Sequence, residues 1–306
     1  MSILAIDVGG TKVAGALFTR DGRLLHRAEA TLDARGGADV GRLIIALAQR
    51  VAHGAPLEAV GVGVPGIYRS RTGTVWAPNI PGWEDYPLLA ELQSALGPHV
   101  ACAVDSDRSC YIMGEVWQGS ARGARDAIFL AVGTGIGAGI MTDGRVLRGQ
   151  HDIAGAIGWL ALDRPYQAAY RDCGCFEFHA SGPGIARAAQ ERGLIDCTTR
   201  DVFAAYEQHD SIAQEVIANA VGYWGMAVAN LVSLFNPEVI VFGGGVFGPA
   251  TALLGAIREE AVRWAQPISM QQVELRASAL GADAGLYGAA RVALDSTAVT
   301  LEVQPG

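Results

Sequence analysis

The chain has 306 residues, half of them hydrophobic, and 23 basic against 31 acidic side chains give it a net charge of −8. That length can build two domains with real cores, and the acidic balance argues against a protein that lives on nucleic acid or an anionic membrane, since either needs a basic face. The five cysteines, Cys102, Cys110, Cys173, Cys175 and Cys197, are odd in number and scattered, as free thiols are. No run is read as reaching the roughly 18 uncharged apolar residues of a membrane helix. Residues 1–17 show a strand pattern with Asp7 and a glycine turn instead of a signal peptide. The expectation is a cytoplasmic protein acting on a small polar substrate.

Two apolar runs, Leu4 to Val8 and Val13 to Leu17, flank Gly9-Gly10-Thr11-Lys12. The turn is read as a phosphate-gripping hairpin, because absent Cβ atoms let amide N–H groups face an anion while Thr11 and Lys12 add a hydroxyl and a charge. Asp7, at the end of the first run, is placed to hold Mg²⁺ through water; a plain hairpin with a solvated Lys12 is the other reading. Arg23 to Thr31 predicts a third strand, Asp39 to His53 a helix and Leu57 to Val64 a buried strand, an order expected of an α/β unit. Residues 67–83 have turn residues without helical period, and Ala77 to Trp83 within them read as an ordered loop.

A short helix over Pro87 to Leu96 and a strand over His99 to Val104 follow, delivering Asp105-Ser106-Asp107 to a strand end. Beyond it the pattern turns helical through Cys110, Met113 and Trp117, so either Ser106 or Asp107 is the N-cap. A carboxylate there is also placed to take a proton from a substrate hydroxyl. Offset by 124 residues, Ala131-Val132-Gly133-Thr134-Gly135-Ile136-Gly137 repeats the opening hairpin, with Ala131 at the place of Asp7. The repeat follows neither Rossmann nor Walker spacing. Helices are expected over Ala180 to Arg192, Ser211 to Phe235, Ala250 to Ala265 and Asp283 to Leu294, and strands over Pro237 to Phe242 and Val273 to Ala277. Gly243-Gly244-Gly245 lets the backbone approach a ligand or merely turns the chain, and the tail after Asp295 is expected to be loosely held.

With Asp7-Val-Gly-Gly-Thr-Lys12, Ala77-Pro-Asn-Ile-Pro-Gly-Trp83, Asp107, Gly133-Thr-Gly-Ile-Gly137 and Val241-Phe-Gly-Gly-Gly245 in this order, the chain resembles the ROK family of sugar kinases and related repressors. The resemblance implies an α/β fold of two actin-like, ribonuclease-H-like ATPase domains with an interdomain cleft: residues 1–117 with the returning helix 284–296, and residues 118–283. It implies ATP-dependent phosphorylation of a hydroxyl of a sugar or sugar-like polyol, with Asp107 as general base. Gly66, Asn79, Ser106, Trp159 and Glu177 would then meet the sugar. Asp7, Gly9, Gly10, Thr11, Lys12, Gly133, Thr134, Gly135, Gly244 and Gly245 would meet MgATP, with Asp7 on the Mg²⁺ indirectly. A homodimer is implied as well.

The departures from the family pattern carry their own expectations. Ser106 stands where family kinases have Asn, and Ala156 and Trp159 stand where they have Glu and His, with Glu177 retained. Buried sugar hydroxyls left without partners are rejected strongly, so specificity should be shifted away from glucose-like ligands. Trp159 would offer a flat face to a ring, or be an ordinary core aromatic. The family's structural zinc ligands fall on Trp159, Ala168, Tyr170 and Cys175, with an extra Cys173, and two thiolates do not make a tetrahedral site, so no zinc is expected. The alternative from a different class is a non-catalytic sugar- or nucleotide-binding sensor of the same fold. Direct DNA binding is not expected, because the family's repressors carry an N-terminal helix-turn-helix domain.

Overall fold

The structure is a computed structural model that describes residues 2–302, with side chains through residue 297. It divides into two compact units: residues 1–123, 148–154 and 282–306, and residues 124–147 and 155–281.

In the first unit β1 (Ser2–Val8), β2 (Lys12–Phe18), β3 (Leu24–Thr31), β4 (Leu57–Val64) and the later strand Ala101–Ser106 form one sheet. β1 lies antiparallel to β2 and parallel to β4, and Asp7 stands in register with Ala14 on one side and Gly63 on the other. β1 is buried along almost its whole length, which explains its unbroken apolar run, whereas the outer strand β3 is mostly exposed and alternates charged residues. Helix α1 (Gly37–Ala52) covers one face with Val40, Ile44, Leu47 and Val51, packing on Leu4, Ile6 and Val8. Side chains alternate along a strand, so Ile3, Ala5 and Asp7 face the other side.

Ala77 to Trp83 form the expected loop, but the residues before them hold strands that were not expected. These are β5 (Ile67–Arg69) and β6 (Thr74–Trp76), an antiparallel hairpin. After it come α2 (Leu88–Leu96), the strand Ala101–Ser106, which becomes β7, and α3 (Asp107–Gln118).

The second unit repeats the plan. β8 (Ala127–Val132), β9 (Ile136–Thr142) and β10 (Arg145–Val146) are antiparallel, and β8 runs parallel to the later strand Val239–Gly243, itself parallel to Glu274–Ala277. Between them lie α4 (Tyr170–Cys173), α5 (Cys175–Ala180), α6 (Gly182–Glu191), α7 (Thr199–Glu207) and α8 (Ser211–Phe235). The expected helix over Ala180 to Arg192 is α6, which starts after Ser181, whose hydroxyl accepts from the Gly184 amide as its cap. α5 and α7 were not expected; nor was α10 (Pro267–Gln272), which follows α9 (Leu254–Val262). α8 corrects another expectation, for it is long and apolar enough to cross a membrane, with a mean hydropathy of 1.3 over its most apolar window; 61% of that window is buried within the unit's core.

The final helix, α11 (Ala284–Glu302), returns to the first unit and packs along α3 and β4. It carries the helix well past Asp295, so the tail is helical through Glu302, and only residues 303–306 of it lie outside the described residues.

Candidate functional site

In the first unit, the Gly9–Lys12 turn closes on itself, the Gly9 amide donating to the Lys12 carbonyl at 2.9 Å. Gly10, Thr11 and Lys12 are exposed, and Asn79 comes within side-chain reach of Gly10. Lys12 is not simply solvated: its Nζ donates to Glu29 Oε1 at 2.9 Å, an oxygen shared with Arg27 at 2.7 Å.

Asp7 sits beneath this turn where two glycines leave room for its carboxylate. A Cβ on Gly285 of α11 would meet Asp7 Oδ2 at 2.5 Å, and one on Gly63 would meet Oδ1 at 3.5 Å. Burial pushes the Asp7 carboxyl up to about 7, the nearby charge of Asp107 adds to the rise, and Lys12 opposes it.

Asp107 opens α3. The structure resolves which residue caps that helix: the Ser106 hydroxyl accepts from the Ser109 amide at 3.3 Å and lies 3.0 Å from the Ser109 hydroxyl, making Ser106 the N-cap. Ser106 is therefore buried and engaged with its own helix. Asp107 Oδ1 accepts from the Arg108 amide at 2.7 Å, and burial raises its carboxyl to about 6 against the pull of Arg108. Among the described residues, neither Asp7 nor Asp107 has an ion-pair partner.

Asp105, two residues earlier, is held differently. It is 5% exposed, its Oδ1 accepts from the Ser106 amide at 2.8 Å, and Arg148 forms an ion pair with Oδ2. Arg148 and the Arg108 guanidinium, which reaches the Gly66 carbonyl at 3.5 Å, are features of this site that the sequence did not single out. No local spacing signals Arg148, because its partner is 43 residues away.

In the second unit, the Gly133 amide donates to the Gly135 carbonyl at 2.9 Å, forming a tight turn with Thr134 exposed at its tip. Gly244 lies against it: with φ at +87° and no space for a Cβ beside the Val132 carbonyl, that position favours glycine. A Cβ on Gly133 would come within 3.8 Å of the Gly245 nitrogen, so the two glycine stretches abut. Glu177, on α5, also joins this turn, its Oε2 accepting from the Ile136 amide at 2.6 Å, and burial raises its carboxyl. Trp159, in the 3₁₀ turn Ile157–Trp159, is 57% exposed, which removes the core-aromatic reading.

Oxygen donors and open backbone amides are what a hard dication with a polyphosphate requires. Asp7 supplies an oxygen donor in the first unit, and with the Gly9 and Gly133 amides bonded inside their own turns, the exposed Gly10, Thr11, Thr134 and Gly135 are the turn residues left to face a ligand. Among the described residues, no three His, Cys, Asp or Glu side chains gather as a metal cluster.

The model of the ROK family matches residues 3–296. A glucokinase of Halalkalibacterium halodurans is 34% identical over 311 aligned residues, covering 93% of this chain and 92% of that protein. The crystal structure of a ROK hexokinase from Thermus thermophilus is 34% identical, with a TM-score of 0.84 over 98% of this chain and 100% of that one. A ROK glucokinase from Streptomyces griseus, solved in complex with glucose and AMPPNP, is 27% identical with a TM-score of 0.80 over 96% of this chain and 100% of that one.

Proposed function

The chain belongs to the ROK family and has its actin-like α/β fold, and from that premise we propose that it is an ATP-dependent kinase phosphorylating a hydroxyl of a sugar or sugar-like polyol. The relatives support this reading, being glucokinases and a hexokinase, one of them holding glucose and an ATP analogue.

The observation that carries it is the different treatment of two carboxylates on one strand end. Asp105 is neutralised by Arg148 and tied to the Ser106 amide, while Asp107 is left without an ion pair at the start of α3. Asp107 is the group that acts as general base. Its carboxyl, raised to about 6, is ionised at neutral pH yet basic enough to accept the proton of an attacking hydroxyl. The Ser106 cap fixes the helix start and with it the place where Asp107 is presented.

MgATP, when bound, supplies the phosphoryl group and the cation that balances its charge. Asp7 would hold the cation indirectly, Gly9, Gly10, Thr11 and Lys12 the phosphates, and Gly133, Thr134, Gly135, Gly244 and Gly245 the nucleotide from the second unit. Lys12 then exchanges Glu29 for phosphate oxygen. On the sugar side the reading assigns Gly66, Asn79, Trp159 and Glu177. Ser106 differs from these: its hydroxyl is committed to Ser109, so it contributes position more than contact.

The test is ADP release with MgATP over hexoses, amino sugars, glycosides and polyols, run beside Asp107→Asn. The expected result is turnover of at least one acceptor, reduced about 10²- to 10⁴-fold in the variant. Absence of turnover together with a rise in Tm on adding ATP or a sugar would favour the non-catalytic sensor instead.

A further inference from the structure

Between the 3₁₀ turn at Trp159 and α5, the second unit has a groove of about 760 Å³, the size of a small-molecule site. Its walls present aromatic side chains to solvent: Trp159 is 57% exposed and Tyr166 is 69% exposed. Large exposed rings lining one cavity are costly to hydrate and supply stacking faces for a flat ligand.

The walls are fixed from behind. Gly174, at φ +85°, lets the backbone lie directly against Gly158 and Trp159, where a Cβ would come within 2.7 Å of the Trp159 Cα. Tyr166 meets the Tyr170 ring edge-on at 5.9 Å, and the Tyr170 hydroxyl is 2.7 Å from His179 Nε2. His179 stacks on Tyr223 at 4.5 Å, and the Tyr223 hydroxyl donates to Asp163 Oδ2 at 3.0 Å.

The groove's lining sets two arginines against one carboxylate. Asp163, its acidic member, is engaged by Tyr223 and lies 3.5 Å from His179, whereas Arg164 and Arg171, which also line the groove, have no ion-pair partner among the described residues. Two arginines in a wall that also carries exposed rings suit a ligand ring that bears a carboxylate or phosphate. The groove shares Trp159 with the sugar-side residues assigned above, and Gly158 next to it packs against Glu177, a Cβ there standing 3.0 Å from Oε2.

We propose that this groove binds a second, acidic ring attached to the sugar, so that the substrate class is a glycoside carrying a carboxylate- or phosphate-bearing ring, the Trp159 and Tyr166 faces taking the ring and Arg164 and Arg171 its charge. The substrate assignment rests on the kinase reading; the binding site does not. The phosphoryl acceptor remains a hydroxyl of the sugar.

Calorimetric titration of the full chain with glucose, galactose and mannose, their 4-nitrophenyl glycosides and their 4-carboxyphenyl glycosides, in both anomers, tests it. For at least one sugar the nitrophenyl glycoside should bind about tenfold more tightly than the free sugar, and the carboxyphenyl glycoside several-fold more tightly again. Tyr166→Ala should shrink the aryl-to-free-sugar ratio, and Arg164→Gln with Arg171→Gln should abolish only the carboxyl-to-nitro ratio. Aryl glycosides that bind no more tightly than free sugars, or ratios unchanged in both variants, would overturn the proposal. MgATP turnover on the same panel separates the two readings: graded binding without any phosphorylation removes the kinase, whereas phosphorylation of free sugars without graded binding removes the groove.

Discussion

Arg148 reaches the buried carboxylate of Asp105, 43 residues back along the chain, and residues 148–154 thereby pack with the first unit although 124–147 and 155–281 form the second. A second anchor holds the same segment, the Ser70 amide and hydroxyl donating to Asp152 at 3.0 and 3.0 Å. Removing Arg148 leaves a buried charge uncompensated directly before the Ser106 cap. Breaking a fully buried pair costs about 3–5 kcal/mol; with Arg148 42% exposed, the loss in Arg148→Gln should be about 1–3 kcal/mol. Its kcat should fall as the start of α3 shifts. Adding Asp105→Asn should recover stability, because the amide carries no charge to strand. Thermal melts of the single and double variants decide it, and equal Tm values in the two would remove the charge argument.

The pH dependence follows from the two raised carboxyls. Asp107 must be ionised to act as base, so kcat/KM should climb with pH along an acid limb near about 6 that Asp107→Asn lacks. Stability runs the other way. With the Asp7 carboxyl at about 7 in the folded state against 3.8 as its ordinary value, the native state holds more protons between those pH values, and its stability falls as pH rises through that window. At roughly 1.4 kcal/mol for each pH unit the window spans, the loss is a few kcal/mol at most. Tm of the free protein should therefore be lower at pH 7.5 than at pH 6, and Asp7→Asn should flatten the difference; a Tm that rises over that interval would contradict the burial of Asp7.

What the sequence made legible divides by physical signal. Leu57–Val64 and Ser211–Phe235 stand where their patterns put them, because long apolar runs leave one solution. The β5–β6 hairpin was hidden, since three-residue strands are too short for alternation to register. Helix α7 was missed despite the capping box of Thr198 with Asp201, whose acid is the shorter homologue of the usual Glu. At the site, glycine turns and the strand-end carboxylates announced themselves. Arg148, the Arg108 contact to Gly66 and the use of Glu177 on the Ile136 amide did not, because each is a tertiary contact made by an unremarkable residue.

The docking of α11 gives a stability prediction. A Cβ on Gly61 of β4 would run into the Ala289 carbonyl and stand 3.1 Å from the Ala293 Cβ. Backbone cannot yield as a flexible side chain can, so Gly61→Ala should cost at least about 3 kcal/mol, the upper end of ordinary overpacking. At about 2–4 °C per kcal/mol for chains of this scale, Tm should drop by roughly 6 °C or more. Gly37→Ala, where a Cβ meets nothing within 4 Å but φ is +49°, should cost less. Equal losses in the two would show that strain and not α11 packing sets the effect.

One of the positions that the family resemblance assigns to zinc belongs here to a hydrogen-bonded aromatic cluster. Tyr170, at that position, bonds His179 at 2.7 Å, and His179 stacks on Tyr223, which donates to Asp163. This cluster joins the loop before α4 to α5 and α8 as a metal crosslink would, so metal analysis should find no stoichiometric zinc and a chelator should leave Tm unchanged. Tyr170→Phe should cost about 1 kcal/mol, the net worth of one buried hydrogen bond. Burial lowers the pKa of His179, so its contribution is present above the ordinary histidine value near 6.5 and is lost as pH falls below it, opposite in sign to the Asp7 effect. His179→Gln should therefore cost more stability at pH 7.5 than at pH 5, which melts of parent and variant at the two pH values check. Loss of Tm on chelation, with zinc recovered at one ion per chain, would show instead that Cys173 and Cys175 recruit ligands from elsewhere and that the cluster is not the crosslink.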